Sequence, residues 1–230
     1  MNNIKGVIFD YGGTLDTDGV HWFHIFRTVY AQHLPEIAEE RLREAYVYGE
    51  RYLATHRVIE PGDDFLTMLR KKVTVQLSDM AIENEALAMK IASACDALVR
   101  AHMETTRKVL DTLSARYPMV LVSNFYGNIH AVLSTYGLDG YFNEVVESAV
   151  VGVRKPEPQI FALGVEALGL QPEEIVVVGD SYGKDIKPAH SIGCHTIWIK
   201  GQGWSDKEES ADCTCADHII TQLPQVLEII

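Results

Sequence analysis

Four short segments carry residues that could do chemistry. The first is Gly6-Val7-Ile8-Phe9-Asp10-Tyr11-Gly12-Gly13-Thr14-Leu15. Val7-Ile8-Phe9 reads as a short buried strand, and a carboxylate at its carboxyl end lies where open α/β sheets bind ligands. Asp10 could attack as a nucleophile, while the turn amides around Gly13 and the Thr14 hydroxyl cradle an anion. The second segment, Met119-Val120-Leu121-Val122, ends in Ser123-Asn124, a hydroxyl and an amide suited to phosphate oxygens. In the third, Gly152-Val153-Arg154-Lys155-Pro156, a cation stands at a helix start, where helix amides also favour anions. The fourth, Ile175-Val176-Val177-Val178-Gly179-Asp180-Ser181, ends in a carboxylate with Asp185 five residues on. Each has an ordinary explanation: a turn for Ser123-Asn124, a solvated charge for Lys155, a helix cap for Asp180. Their combination in this order, each at an element end, points to one phosphate-handling site.

The elements that must position them form a discontinuous α/β core. Strand one ends at Asp10, and the next buried strand begins near Met119. Between them, Val20 to Met103 reads as helix, with apolar spacing such as Ile37, Leu42, Ala45, Tyr46 and then Ile82, Leu87, Ile91, Ala94, Leu98. Pro35 and Pro61-Gly62 divide this stretch into three or four helices. After it, helices alternate with strands at Val120–Ser123, Glu144–Glu147, Ile175–Gly179, His195–Ile199 and His218–Ile220, which specifies a Rossmann-like parallel sheet with helices on both faces. The expected division is a core of residues 1–17 and 105–230 and a helical insertion of 18–104. Hinges are expected at Asp16-Thr17-Asp18-Gly19 and His102–Thr106. No G-x-G-x-x-G follows strand one and no Walker-type Gly-Lys-Ser occurs. A response regulator also ends a strand in Asp but lacks the helical insertion.

With these motifs the chain resembles the haloacid dehalogenase-like hydrolase superfamily, whose four loops read D-x-D-x-T, hydrophobic-S/T-N, K-P and G-D-x-(x)n-D. The wording is densest at K-P-E-P-Q-I-F-A-L, E-A-L-G-L-Q-P-E-E-I-V-V-V-G-D-S and D-I-K-P-A-H-S-I-G, from Lys155 to Gly193. The resemblance implies Asp10 as nucleophile and Ser123 and Lys155 as ligands of the transferred group. It implies a Mg²⁺ site of Asp180, Asp185, the Asp10 carboxylate and the backbone carbonyl of Gly12. It also implies a helical cap of the first cap class, which with the loop leaving strand one sets substrate choice. His21, Trp22, His24, Arg27, Tyr48, Arg51, Tyr52 and Arg57 are the aromatic and basic candidates there. One position departs from the pattern: Gly12 stands where phosphatases of the family carry a second Asp, the general acid and base. Such help contributes about 10²–10⁴-fold in rate, so turnover is expected to be low unless Asp16, His21 or Tyr11 replaces it.

Composition narrows the partners. The 230 residues are 47% hydrophobic and 23% charged, as in a soluble globular protein. A net charge of −12 argues against nucleic acid, whose phosphates demand a basic surface. Any anionic substrate must then be attracted locally, by Lys155 and a divalent ion. No apolar run approaches the ~18 residues of a membrane span, and Lys5 precedes too few apolar residues for a signal peptide. Four Cys, of which only Cys213 and Cys215 are neighbours, read as reduced thiols of a cytoplasmic protein, a monomer or homodimer. His21-x-x-His24 lacks a carboxylate anchor for zinc.

Three functions fit these residues. The leading one is a Mg²⁺-dependent phosphatase acting on a small phosphorylated metabolite through an aspartyl-phosphate on Asp10. A metal-independent 2-haloacid dehalogenase would not need the second Asp, because halide leaves without a proton. Those enzymes, however, carry Tyr at position 12 and have no use for Asp180 and Asp185. A catalytically weak phospho-ligand-binding or regulatory member is the third.

Overall fold

The computed structural model describes residues 1, 3–205 and 213–230. Six parallel strands form one sheet in the order β3-β2-β1-β4-β5-β6. They are β1 (Gly6–Phe9), β2 (Met119–Ser123), β3 (Glu144–Glu147), β4 (Ile175–Gly179), β5 (His195–Ile199) and β6 (His218–Ile220). The chain first builds outward on one side of β1, through β2 and β3, and then returns to the other side through β4. The order therefore reverses between β1 and β4, which is where open parallel sheets leave a crevice at their carboxyl ends.

The period of two along each strand supplies both faces. Val7 and Phe9 of β1 pack into a cluster with Val109, Leu110 and Leu113, while Ile8 packs into another with Ile160 and Phe161. Helices accordingly cover both sides, as parallel sheets require. The strands fall where alternation with helices placed them, β2 starting one residue earlier.

Between β1 and β2 lie four helices: α1 (Trp22–His33), α2 (Glu39–Thr55), α3 (Phe65–Asp79) and α4 (Glu85–Ser114). Asp64 caps α3 by accepting from Thr67 N–H at 2.8 Å, and Asn84 caps α4 by accepting from Leu87 N–H at 2.9 Å. α4 runs 30 residues, straight through the expected boundary at 104/105. No Gly or Pro interrupts it, and Ala88, Ile91, Ala92, Cys95, Val99, Met103, Val109 and Leu110 form one buried stripe joining the helical block to the sheet. The stripe is rotated from the spacing expected in sequence: Leu98 is exposed and Asp96 is buried. Asp96 accepts from the Tyr136 hydroxyl at 2.6 Å and from Arg100 Nε at 2.6 Å, which satisfies the buried charge. The remaining α-helices among the described residues are α5 (Ile129–Thr135), α6 (Ser148–Val151), α7 (Gln159–Leu168) and α8 (Lys187–Ser191). No helix among the described residues is long and apolar enough to cross a membrane.

Candidate active site

Phe9 pairs with Leu121 of β2 and Val178 of β4, so Asp10, Ser123 and Asp180 all emerge at the same end of three adjacent strands. Asp10 extends the ladder by one bond, its N–H donating to Val178 O at 3.0 Å. Two glycines let the carboxylates converge. Gly13 has φ of 96° and a Cβ there would overlap the Asp180 carboxylate. A Cβ on Gly179 would overlap the Asp185 side chain.

Asp10, Asp180 and Asp185 each offer an oxygen within 4.8 Å of the others. Lys155 Nζ lies 2.6 Å from Asp10 Oδ1 and 2.6 Å from Asp185 Oδ1, and all three side chains are buried. Asp185 Oδ2 also accepts from Ser181 N–H at 3.0 Å, and Thr14 Oγ1 donates to Asp180 Oδ1 at 3.3 Å. Burial pushes the Asp10 carboxyl up to about 6; Lys155 pulls against that shift and Asp185 adds to it. Burial, then Asp185 and Asp10, hold Asp180 well above the usual carboxylate range. Lys155 remains charged, because its two carboxylates outweigh the penalty of burial. Fully ionised, the three carboxylates and one ammonium carry a net charge of −2. A divalent cation would balance that charge, and an all-oxygen donor set suits a hard ion.

The other expected phosphate ligands divide by what their atoms are doing. Ser123 is buried and lines the same cavity, about 1070 Å³ in volume, as Asp10, Gly12 and Lys155. Thr14 Oγ1 is 3.5 Å from Asp10 Oδ2. The Asn124 amide is committed on both sides to Lys155: Oδ1 accepts from Lys155 N–H at 2.9 Å and Nδ2 donates to Lys155 O at 3.1 Å. It therefore fixes the lysine. The Gly13 N–H is likewise taken, donating to Asp16 Oδ1 at 2.7 Å.

Asp16 has a second set of partners. Oδ1 also accepts from Thr17 Oγ1 at 3.2 Å, and Oδ2 accepts from Trp22 Nε1 at 2.8 Å. Burial raises its carboxyl to about 7 against the lowering effect of the Gly13 and Trp22 bonds. Asp16 lines the cavity with Asp10 and Gly12. The other two residues named as substitute acids are differently employed. Burial holds the Tyr11 hydroxyl well above its ordinary range, and the ring packs edge-on to Phe125. His21 caps α1 by accepting from Phe23 N–H at 3.2 Å, and burial followed by the Lys184 charge lowers it to about 3.

Of the candidates from the helical block, His21, Trp22, Arg51 and Arg57 line the cavity. Arg27 pairs with Glu39, and Tyr48 and Tyr52 stack on each other, Tyr52 also on His56. His24 Nε2 is 2.8 Å from Gly203 O, and Cys95, Cys194 and Cys215 are free thiols. Among the described residues the Asp10, Asp180, Asp185 group is the one set of His, Cys, Asp or Glu side chains arranged to hold a metal. Sequence reading did not single out Glu50, Lys72 or Tyr126, which also line the cavity. The signal existed for Lys72: it falls on the apolar stripe of α3 with Phe65, Met68, Leu69 and Val73.

Known proteins resemble the chain in the same regions. A family model described as hydrolase, haloacid dehalogenase-like hydrolase, matches residues 4–193. A glyceraldehyde 3-phosphate phosphatase from Pyrococcus furiosus is 38% identical over 93 residues, 40% of this chain and 38% of that protein. A phosphoserine phosphatase from Thermus thermophilus is 37% identical over 82 residues, 35% of this chain and 33% of that protein. The chain thus spans well under half the length of these curated relatives. A solved dehalogenase with an intermediate complex superposes with a TM-score of 0.67 at 20% identity, covering 100% of this chain and 98% of that one, a likeness of fold.

Proposed function

Since the chain belongs to the haloacid dehalogenase-like hydrolase family, we propose that it is a Mg²⁺-dependent phosphohydrolase of small phosphorylated metabolites with Asp10 as nucleophile. The observation that carries this reading is the buried set of Asp10, Asp180 and Asp185 around Lys155. Asp10, Asp180, Asp185 and the Gly12 carbonyl would hold the ion. When bound, it offsets the repulsion between an anionic nucleophile and an anionic phosphoryl group. Displacement of halide from an uncharged carbon has no need of that charge, so the cluster weighs against a dehalogenase. Phosphatase relatives over part of the chain weigh the same way.

The chain's own residues divide the work. Lys155, positioned by Asn124 and by Asp185, faces the phosphoryl oxygens with Ser123 and Thr14. An Asp10 oxygen forms a bond to phosphorus as the bond to the leaving oxygen breaks. Asp16 is the group we assign to the proton. Its Oδ1 has two donors, but Oδ2 has Trp22 alone, which leaves a lone pair to carry a proton. A carboxyl near 7 suits transfer in both directions at neutral pH. Asp16 gives its proton to the leaving oxygen and then accepts one from water. That water attacks phosphorus, releasing inorganic phosphate and free Asp10. The four helices between β1 and β2 act as the cap that closes the cavity.

A screen of metabolite phosphates tests this reading. Phosphate release should require Mg²⁺, stop with chelator and be lost in Asp10→Asn. Halide release from a 2-haloacid in the presence of chelator would replace the reading by the dehalogenase.

A further inference from the structure

The wall of the cavity formed by the helical block holds a charged pair that phosphoryl transfer does not use. Lys72 of α3 lies 2.5 Å from Glu50 Oε1 of α2. Tyr126, three residues beyond Ser123, donates its hydroxyl to Glu50 Oε2 at 2.6 Å. All three line the cavity that also contains Asp10, Ser123 and Lys155. The Lys72 ammonium is surrounded by rings, 5.2 Å from the centroid of Tyr126, 5.9 Å from Phe26 and 6.0 Å from Tyr46.

Stability does not explain such a pair. Apolar residues of similar volume commonly hold a buried position as well as an ion pair does. Both groups nevertheless stay charged. Burial alone would raise Glu50, but Lys72 and the Tyr126 hydroxyl bring it below the usual range; Glu50 in turn holds Lys72 above its own. Their hydrogen-bonding capacity is only partly used. An ammonium has three donors, and among the described residues Glu50 is the one anion paired with Lys72. Among the described residues, the buried Glu50 Oε1 has Lys72 as its one polar partner.

A donor and an acceptor therefore stand side by side in a net-neutral pair. A ligand carboxylate would be repelled by Glu50, and a ligand ammonium by Lys72. A zwitterion would have to separate charges 2.5 Å apart. A hydroxyl adds to the pair without breaking it, accepting from Lys72 and donating to Glu50. We propose that Glu50, Lys72 and Tyr126 form the subsite for the part of the substrate that carries the phosphoryl group, and that this part is neutral and polyhydroxylated, as in a sugar or polyol phosphate. The inference rests on the phosphohydrolase reading for the opposite end of the ligand. Trp22, Phe65 and Phe125 line the same cavity and add apolar ring surface for the C–H groups of such a ligand.

Binding to the Asp10→Asn protein in Mg²⁺ tests this without requiring turnover. Titration calorimetry would compare sorbitol phosphate, n-hexyl phosphate and phosphoserine. Hydrogen bonds to charged groups should make sorbitol phosphate at least about tenfold tighter than either. Adding Lys72→Met should bring sorbitol and hexyl phosphates to within about threefold of each other. Equal Kd values for sorbitol and hexyl phosphates, tighter phosphoserine, or no binding of any of the three would overturn the subsite. The ligand comparison stands alone if Lys72→Met does not fold. Failure of the wild type to hydrolyse any phosphate ester would instead overturn the phosphohydrolase reading, and the same titration would still decide the subsite.

Discussion

The Trp22 indole N–H donates to Asp16 Oδ2 at 2.8 Å, and the same ring faces Gly12, 3.9 Å from where a Cβ would stand. A helix residue and a loop carboxylate thus meet beside Gly12, the position at which the resemblance leads us to expect a second Asp. Gly12 leaves the space in which this pair sits.

Gly12→Asp should fold. The backbone φ is not in the left-handed region, and among the described residues, its chain neighbours apart, Trp22 alone comes within 4 Å of the new Cβ. With Asp16 carrying the proton, the added carboxylate should change kcat/KM on alkyl phosphates by less than about tenfold. A gain approaching the about 10²-fold or more of a newly supplied acid would show that the native site lacks one.

Asp16→Asn should make the rate depend on the leaving group. Alkyl alkoxides need a proton, whereas p-nitrophenolate does not. We expect a loss of about 10²–10⁴-fold on alkyl monoesters and a much smaller loss on p-nitrophenyl phosphate. Equal losses on both would mark Asp16 as a buttress of the Gly13 turn.

The same variant carries a pH signature in stability. A carboxyl in the unfolded chain titrates near about 3.9, whereas burial holds Asp16 up to about 7. The folded state therefore keeps its proton over that window and the unfolded state does not. The contribution is complete below about pH 4 and falls as pH rises to about 7, by about 1.4 kcal/mol per unit. Denaturant titrations of wild type minus Asp16→Asn should show this decline. A flat or rising difference would contradict the buried, protonated carboxyl.

Mg²⁺ should stabilise the protein, by about 2.7 kcal/mol at a hundredfold excess over Kd. Asp180→Asn should reduce the shift in Tm. Lys155→Met leaves Asp10 and Asp185 unpaired, so it should cost about 3–5 kcal/mol without metal. It should also enlarge the response to Mg²⁺, because one positive charge has left the site. Identical Tm shifts in wild type and both variants would place the ion elsewhere.

How far the sequence reaches depends on the range of the interactions. The strands and the four loop motifs were legible because each is a local pattern, a polar residue at the end of a short apolar run or, for Lys155, a cation directly before Pro. Asp10 and Asp180 follow from the strand-end pattern, and in the fold their side chains lie beside those of Lys155 and Asp185. The roles of Asn124 and Asp16 were less legible, since they depend on which donors the folded chain supplies. Asn124 spends its amide on Lys155, 31 residues away in sequence. The Tyr126 bond to Glu50 spans 76 residues and two layers of the fold, and no spacing rule encodes it. α4 shows a third kind of limit. Its apolar positions are frequent enough to suit more than one face, and tertiary packing, with the Tyr136 hydroxyl donating to Asp96, chose the face that buries this carboxylate.

The most direct measurement is peptide mass spectrometry on the protein acid-quenched during turnover of p-nitrophenyl phosphate with Mg²⁺. The account predicts a phosphoryl adduct on the peptide carrying Asp10, lost in Asp10→Asn together with turnover. Turnover at the wild-type rate by Asp10→Asn, or an adduct on another residue, would contradict it.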